Sequence, residues 1–303
     1  MRMRIAVIGY GTVGAIHAAK FANERDVEVA TIFGPKREKA EAFASAHGVK
    51  HVSATLQEAI SMTDAAIVCS PSPLHYEQAR ECLRAGVPTL VELPPCETSA
   101  EAEDLAKAAR EAGVQLQCAH TSRYLTAYAR ISTSLRGGEL GKIQEVTYTR
   151  HTLPRNKNWN DNALFHHAAH PVELLADWFG GLTPRGAVVR PQVRTAQNVA
   201  LLGQLANGAP FTITVTYASR LPHVRMLIVG DQHTVETDGF SYIRSDLECL
   251  NLTYPEQETY ENGIHDQDME FLRACRGEAA GVDWQETLRL VRTIESFREF
   301  AGG

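Results

Sequence analysis

The sequence lacks the features that would set it apart from ordinary globular enzymes. Its six cysteines, Cys69, Cys82, Cys96, Cys118, Cys249 and Cys275, form no Cys-x-x-Cys pair and no metal-ligand spacing. That excludes a disulfide framework or zinc ribbon and points to free thiols in a reducing compartment. No apolar run reaches the roughly 18 residues of a spanning helix. Met1-Arg2-Met3-Arg4 passes directly into an apolar strand, without a signal-peptide core. A cytoplasmic protein with no membrane partner is expected. Basic residues are also in short supply: 30 Lys and Arg stand against 36 Asp and Glu, a formal charge of −6. This argues against nucleic acid as a partner and for a small molecule.

The 303 residues suffice for two domains. In residues 1–120, short apolar runs (Arg4–Ile8, Val27–Phe33, Ala65–Cys69, Thr89–Val91, Val114–Cys118) alternate with helical patterns over 12–24, 36–46, 73–85 and 99–112. Strand, helix, strand at this pace predicts a doubly covered parallel sheet. Residues 121–303 read differently: a helix near 123–136, a strand near 142–152, a polar segment to 162 and a histidine-bearing helix to 179. Strands Val199–Leu205, Phe211–Tyr217 and Val224–Val229 follow, with an Asn207-Gly208 hairpin, then helices near 264–276 and 283–300. The expected fold is an α/β Rossmann domain followed by an α+β domain with an open, mostly antiparallel sheet.

Gly9-Tyr10-Gly11-Thr12-Val13-Gly14 matches Gly-x-Gly-x-x-Gly directly after the first strand. The first glycine permits the tight turn, the second lets a pyrophosphate approach the backbone, and the third lets helix and strand pack closely. The second strand ends Phe33-Gly34-Pro35-Lys36-Arg37, without the acidic residue that would accept a ribose 2′-hydroxyl. Two cations stand there instead, suited to a 2′-phosphate, so NADP is expected over NAD. Ser70, Pro71, Ser72 and His75 leave Ala65–Cys69 at the carboxyl edge of the sheet, where cofactors lie.

These glycines, the Ser-Pro-x-x-x-His turn, Glu92-Leu93-Pro94, Ala119-His120-Thr121-Ser122-Arg123 and the segment ending in His170 together resemble the Gfo/Idh/MocA oxidoreductases over essentially the whole chain. The resemblance implies a two-domain NAD(P)-dependent dehydrogenase forming a dimer or tetramer, with Glu92 at the cofactor and catalytic position of the family's Glu-Lys-Pro. The family's lysine, commonly catalytic, is Leu93 here. A subgroup acting on a carboxylated aromatic ring-cleavage product also lacks it and carries Trp-His-His-Ala-Ala-His, similar to Phe165 through His170.

His166, His167 and His170 are three of only twelve histidines. On a helix, His166 and His170 lie about 40° apart and His167 about 100° from His166, with Glu173 and Asp177 extending the stripe. A zinc site, a solvated face and a catalytic cluster are all consistent with that pattern. Beside a nucleotide fold lacking lysine, a neutral histidine has the basicity to take a hydroxyl proton. His166 or His170 is expected as the base, with Glu173 orienting His170. A substrate carboxylate needs cations, for which Arg123, Arg155 and Lys157 are candidates, with His120, His167 and Trp159 lining the pocket. A sugar or cyclitol oxidoreductase and a catalytically silent NADP-binding protein are the alternatives. An open sheet face favours a homodimer or homotetramer.

Overall fold

The computed structural model describes residues 2–154, 162–192, 195–278 and 282–302, except for the side chains of 256–258. The chain divides into two compact units, Met1–Ala119 with Ile264–Leu288, and His120–Gly263 with Arg289–Gly303.

The first unit is built on six parallel strands: β1 (Met3–Ile8), β2 (Val27–Phe33), β3 (His51–Val52), β4 (Ala65–Val68), β5 (Thr89–Val91) and β6 (Leu116–Cys118). Their order is β3-β2-β1-β4-β5-β6. The order reverses between β1 and β4, and a crevice outside the carboxyl ends of these strands is where such sheets bind ligands. Ile5 to Ile8 and Ala65 to Val68 are wholly buried, as expected for central strands covered on both faces. Helices α1 (Thr12–Phe21), α2 (Arg37–His47), α3 (Leu56–Ser61), α4 (His75–Arg84) and α5 (Ser99–Ala112) supply the cover. Gly48 and Gly113 end α2 and α5 in the left-handed conformation, and a Thr98/Glu101 capping box starts α5.

The sequence pattern showed neither β3 nor α3, whose two and six residues are too short to display a period. The unit also takes in a distant piece of chain. Phe271 and Leu272, on α8 (Glu256–Cys275), join Ile5, Phe21, Ile67 and Leu90 in one core cluster.

The second unit contains α6 (Thr126–Arg136), β7 (Ile143–His151), α7 (Ala169–Phe179), β8 (Leu182–Arg190), β9 (Asn198–Leu205), β10 (Pro210–Thr216), β11 (His223–Gly230), β12 (Thr234–Thr237), β13 (Tyr242–Ser245) and β14 (Leu252–Thr253). The eight strands run β14-β13-β12-β11-β7-β10-β9-β8. Of these pairs only β7 with β10 is parallel. Strand alternation buries Val146, Tyr148, Val199, Leu201, Phe211, Ile213, Met226 and Ile228 on one face. On the other face, Val188 and Leu202 remain 61% and 47% exposed. The last helix, α9 (Trp284–Phe300), contributes Phe297 to this unit, edge-on to Phe211.

Two helix starts differ from the sequence pattern. The histidine helix begins only at Ala169, and residues 163–168 are turns, so His166 and His167 precede it. Asn162 causes this: its Oδ1 accepts from Leu164 N at 3.0 Å, and its carbonyl accepts from His166 N at 2.9 Å. The segment is thereby wound into turns ahead of the helix. The helix expected from 264 begins at Glu256, because its polar first two turns carry no apolar stripe to mark them.

Candidate active site

In the first unit, the turn from β1 to α1 has the shape of a phosphate cradle. Gly9 has φ +126°, and a Cβ there would lie 2.6 Å from the Cys69 carbonyl and from Ser70 N. A Cβ on Gly14 would lie 2.4 Å from Gly9 O, whereas one on Gly11 would meet nothing within 4 Å. The first and third glycines are thus fixed by close packing, and the second leaves open space. Gly11 caps α1 without a side-chain bond, and the first turn, Thr12 and Val13 included, carries no acidic residue. The free amides and positive end of this helix therefore suit an anion. These features fit a dinucleotide.

The neighbouring loops are held to this cradle. A Cβ on Gly34 would strike the Tyr10 ring at 2.3 Å, so glycine lets the ring lie flat on the β2 exit. The Tyr10 hydroxyl accepts from Lys36 N at 3.2 Å. Arg37 is exposed and pairs with Glu41 at 2.8 Å, a surface interaction weak enough to be exchanged for a phosphate. Beyond β4, Ser70 Oγ donates to Gln78 Oε1, and Pro71 leads into a short turn of helix starting at Ser72. His75 is buried, with Nδ1 2.8 Å from Pro94 O and Nε2 2.7 Å from Ser70 O. Burial lowers its pKa against the raising effect of these carbonyls. Both ring nitrogens are occupied, so His75 serves by joining the loops after β4 and β5 and offers no free nitrogen to a ligand.

Glu92 follows β5 and has a partner that sequence reading did not foresee. His17 of α1 is wholly buried, with Nε2 3.1 Å from Glu92 Oε1 and Nδ1 2.6 Å from Asp268 Oδ2 on α8. Burial opposes charge on this ring, but Asp268 and then Glu92 outweigh it and raise the pKa to about 10. An imidazolium thus clamps Glu92, which is 16% exposed. Leu93 beside it is buried.

In the second unit, the three histidines come together. The rings of His166 and His170 lie 5.9 Å apart between centroids and those of His166 and His167 4.5 Å, while His167 meets Tyr217 edge-on at 4.9 Å. His170 is half-buried in the first turn of α7, with Nδ1 3.4 Å from Ser122 Oγ. Burial, then the charges of His166, Arg150 and His120, push its pKa well down, and a helix N-terminus acts in the same direction. His170 is a neutral imidazole at neutral pH.

Glu173 does not orient His170 as expected. It is buried, hydrogen-bonded by Arg123 Nε and 3.5 Å from His120 Nδ1. Of the settings open to the stripe, a solvated face does not hold at Glu173, because the carboxylate turns inward to a cation. Arg123 also reaches Asp177 at 3.5 Å, so two carboxylates neutralise the guanidinium expected to bind substrate. His120 is buried, and its pKa falls to about 3 through burial and then Arg123. Arg155, Lys157 and Trp159 lie outside the described residues. Among the described residues, no group of three or more His, Cys, Asp or Glu side chains is arranged to hold a metal ion, and no helix is long and apolar enough to cross a membrane.

A family model described as "Oxidoreductase family, NAD-binding Rossmann fold" (GFO_IDH_MocA) matches residues 3–120. The 4-carboxy-2-hydroxymuconate-6-semialdehyde dehydrogenase of Sphingobium sp. (strain NBRC 103272 / SYK-6) is 30% identical over 287 residues, covering 90% of this chain and 90% of that protein. The chain belongs to the Gfo/Idh/MocA oxidoreductases.

A second member, scyllo-inositol 2-dehydrogenase (NADP(+)) IolW of Bacillus subtilis (strain 168), is 26% identical over 208 residues, 65% of this chain and 57% of that protein. The fold is shared with the WlbA dehydrogenase from Bordetella pertussis, solved in complex with NADH and UDP-GlcNAcA. Its TM-score is 0.86 at 21% identity, covering 99% of this chain and 96% of that one. Family membership gives Leu93 its meaning: the place usually held by lysine carries an apolar, buried side chain.

Proposed function

We propose that the protein is an NADP-dependent dehydrogenase that oxidises the cyclic hemiacetal of 4-carboxy-2-hydroxymuconate-6-semialdehyde to the lactone 2-pyrone-4,6-dicarboxylate. The observation that carries this reading is the neutral His170 beside the ring of His166, which in turn meets His167, in a chain whose family lysine is Leu93. Bound NADP would supply the hydride acceptor. The chain would supply the base: the imidazole of His170 takes the hemiacetal hydroxyl proton as the carbon–hydrogen bond breaks and the lactone carbonyl forms. His166, in ring contact, helps to lower the pKa of His170 and so keeps it able to accept.

Turnover distinguishes this reading from its rival. Mixing the protein with NADP and the ring-cleavage semialdehyde is expected to generate reduced-nicotinamide absorbance and the pyrone dicarboxylate. Turnover of inositols instead, with none of the semialdehyde, would assign the protein to cyclitols.

Lys36 and Arg37 support the choice of NADP. Replacing both with alanine is expected to weaken NADP binding by about 10-fold or more, the loss of one or two charge-assisted contacts, and to leave NAD binding nearly unchanged. Nucleotide titration against both cofactors measures this, and an equal loss for the two would remove the 2′-phosphate role. The exposed Val188 and Leu202 on neighbouring strands support self-association through the outer face of the second sheet.

A further inference from the structure

Strand alternation places Arg150 on the inward face of β7 after Val146 and Tyr148, in register with Val215 of β10 and Val224 of β11. Apolar residues fill most of that face, so an arginine there needs a reason. Its guanidinium carbon lies 6.0 Å from the Phe240 ring centroid, a cation–π distance, and it hydrogen-bonds the buried Tyr148 phenol. Neither partner carries a negative charge. Its Nε is buried and makes no hydrogen bond among the described residues, while the side chain as a whole is only half-buried.

Nearby carboxylates are committed elsewhere. Asp238, whose charge opposes that of Arg150 at Tyr128, accepts from Phe240 N at 2.9 Å, Ser241 N at 2.8 Å and Tyr242 N at 3.2 Å. Glu173 and Asp177 are taken by Arg123. Arg150 thus differs from Arg123 in having no ion pair with a described carboxylate, and its charge is felt at His170. A half-buried guanidinium whose Nε makes no hydrogen bond among the described residues fits a carboxylate, which accepts from Nε and a terminal nitrogen together.

We propose that Arg150 anchors a carboxylate of the substrate beside His170. The proposal rests on the dehydrogenase reading above and adds the residue that selects for acid. Phe240 holds the guanidinium plane, Tyr148 fixes its edge, and the anion completes the set. A neutral sugar or cyclitol would leave the guanidinium without its partner, so the anchor discriminates against neutral polyols.

Calorimetric binding to the full-length protein tests this with 2-pyrone-4,6-dicarboxylate, its two monoacids and a sugar acid, gluconate, as probes. Arg150→Met is expected to weaken diacid binding by about 10- to 100-fold, the range for a charge-assisted bidentate contact. Arg150→Lys should fall between, keeping charge without the fork. The monoacid lacking the anchored group should bind wild type and Arg150→Met alike. Equal diacid affinity in wild type and Arg150→Met overturns the proposal, as does an equal loss for every probe, which marks a structural role. Should Arg150→Met not fold, Arg150→Lys binding the diacid as wild type does would overturn it equally. If gluconate binds with this Arg150 dependence while no pyrone does, the anchor stands and the pyrone reading falls. Wild type binding none of the carboxylates overturns the anchor, whereas the dehydrogenase reading is decided by turnover.

Discussion

Replacing His170 with asparagine is expected to lower kcat by about 10²–10⁴-fold, the contribution of a positioned general base, while NADP binding stays close to that of wild type. Asparagine keeps a polar group near Ser122 Oγ but cannot accept a proton at neutral pH. The environment of His170 also fixes the pH profile. Burial and the charges of His166, Arg150 and His120 lower its pKa, so the basic form is fully populated through the neutral range. The rate should fall only on the acid side. His166→Asn removes one of the groups holding that pKa down, so it should move the acid limb upward with a smaller loss in kcat. Steady-state rates across pH check both. A His166→Asn enzyme without turnover beside a nearly normal His170→Asn enzyme would move the base to His166.

The second large effect lies in the first unit. Removing one member of the His17–Asp268 pair, as in His17→Ala, is expected to cost about 3–5 kcal/mol, because the remaining charge is left buried without its counter-ion. Replacing both residues with leucine should recover much of that loss. Chemical denaturation of the first unit's transition measures each.

The pair also ties stability to pH. His17 has a folded pKa of about 10, above the ordinary value of about 6.5 for an unfolded histidine. Its contribution is fully present below pH about 6.5 and is lost as pH rises through about 10. The denaturation midpoint should therefore decline across that window in wild type and flatten in the double leucine variant. A wild-type midpoint independent of pH there would show that His17 is not charged in the folded state.

What could be read from the sequence was what local spacing encodes. The glycine turn, the central strands, the Asn207-Gly208 hairpin and the strands of the second sheet from Val199 to Val229 show in period and turn chemistry alone. β8 did not, because Pro184 and Gly186 interrupt it at a register shift, and on an edge strand such residues are tolerated although they read as breakers. Nothing in the local spacing around His17 marks it out from the rest of the helix after the glycine loop. Its partners stand 75 and 251 positions away, and no periodicity connects them. The histidine cluster was visible as composition, yet its geometry depended on Asn162 winding the preceding turn. Arg123 and Arg150 carry the same charge in sequence. Only the placement of Glu173, Asp177 and Phe240 separates the neutralised arginine from the one lacking a carboxylate.

Leu93 bears on which substitutions the loop after β5 can accept. Its side chain is 5% exposed and sits next to the clamped Glu92. Introducing lysine by one substitution would place an ammonium in a closed position. A lysine is therefore not accommodated here in a single step: the surrounding packing has to open first. A chain with leucine packed at this position therefore resists a charged replacement by its own packing, and a change of side chain there has to be matched by changes around it.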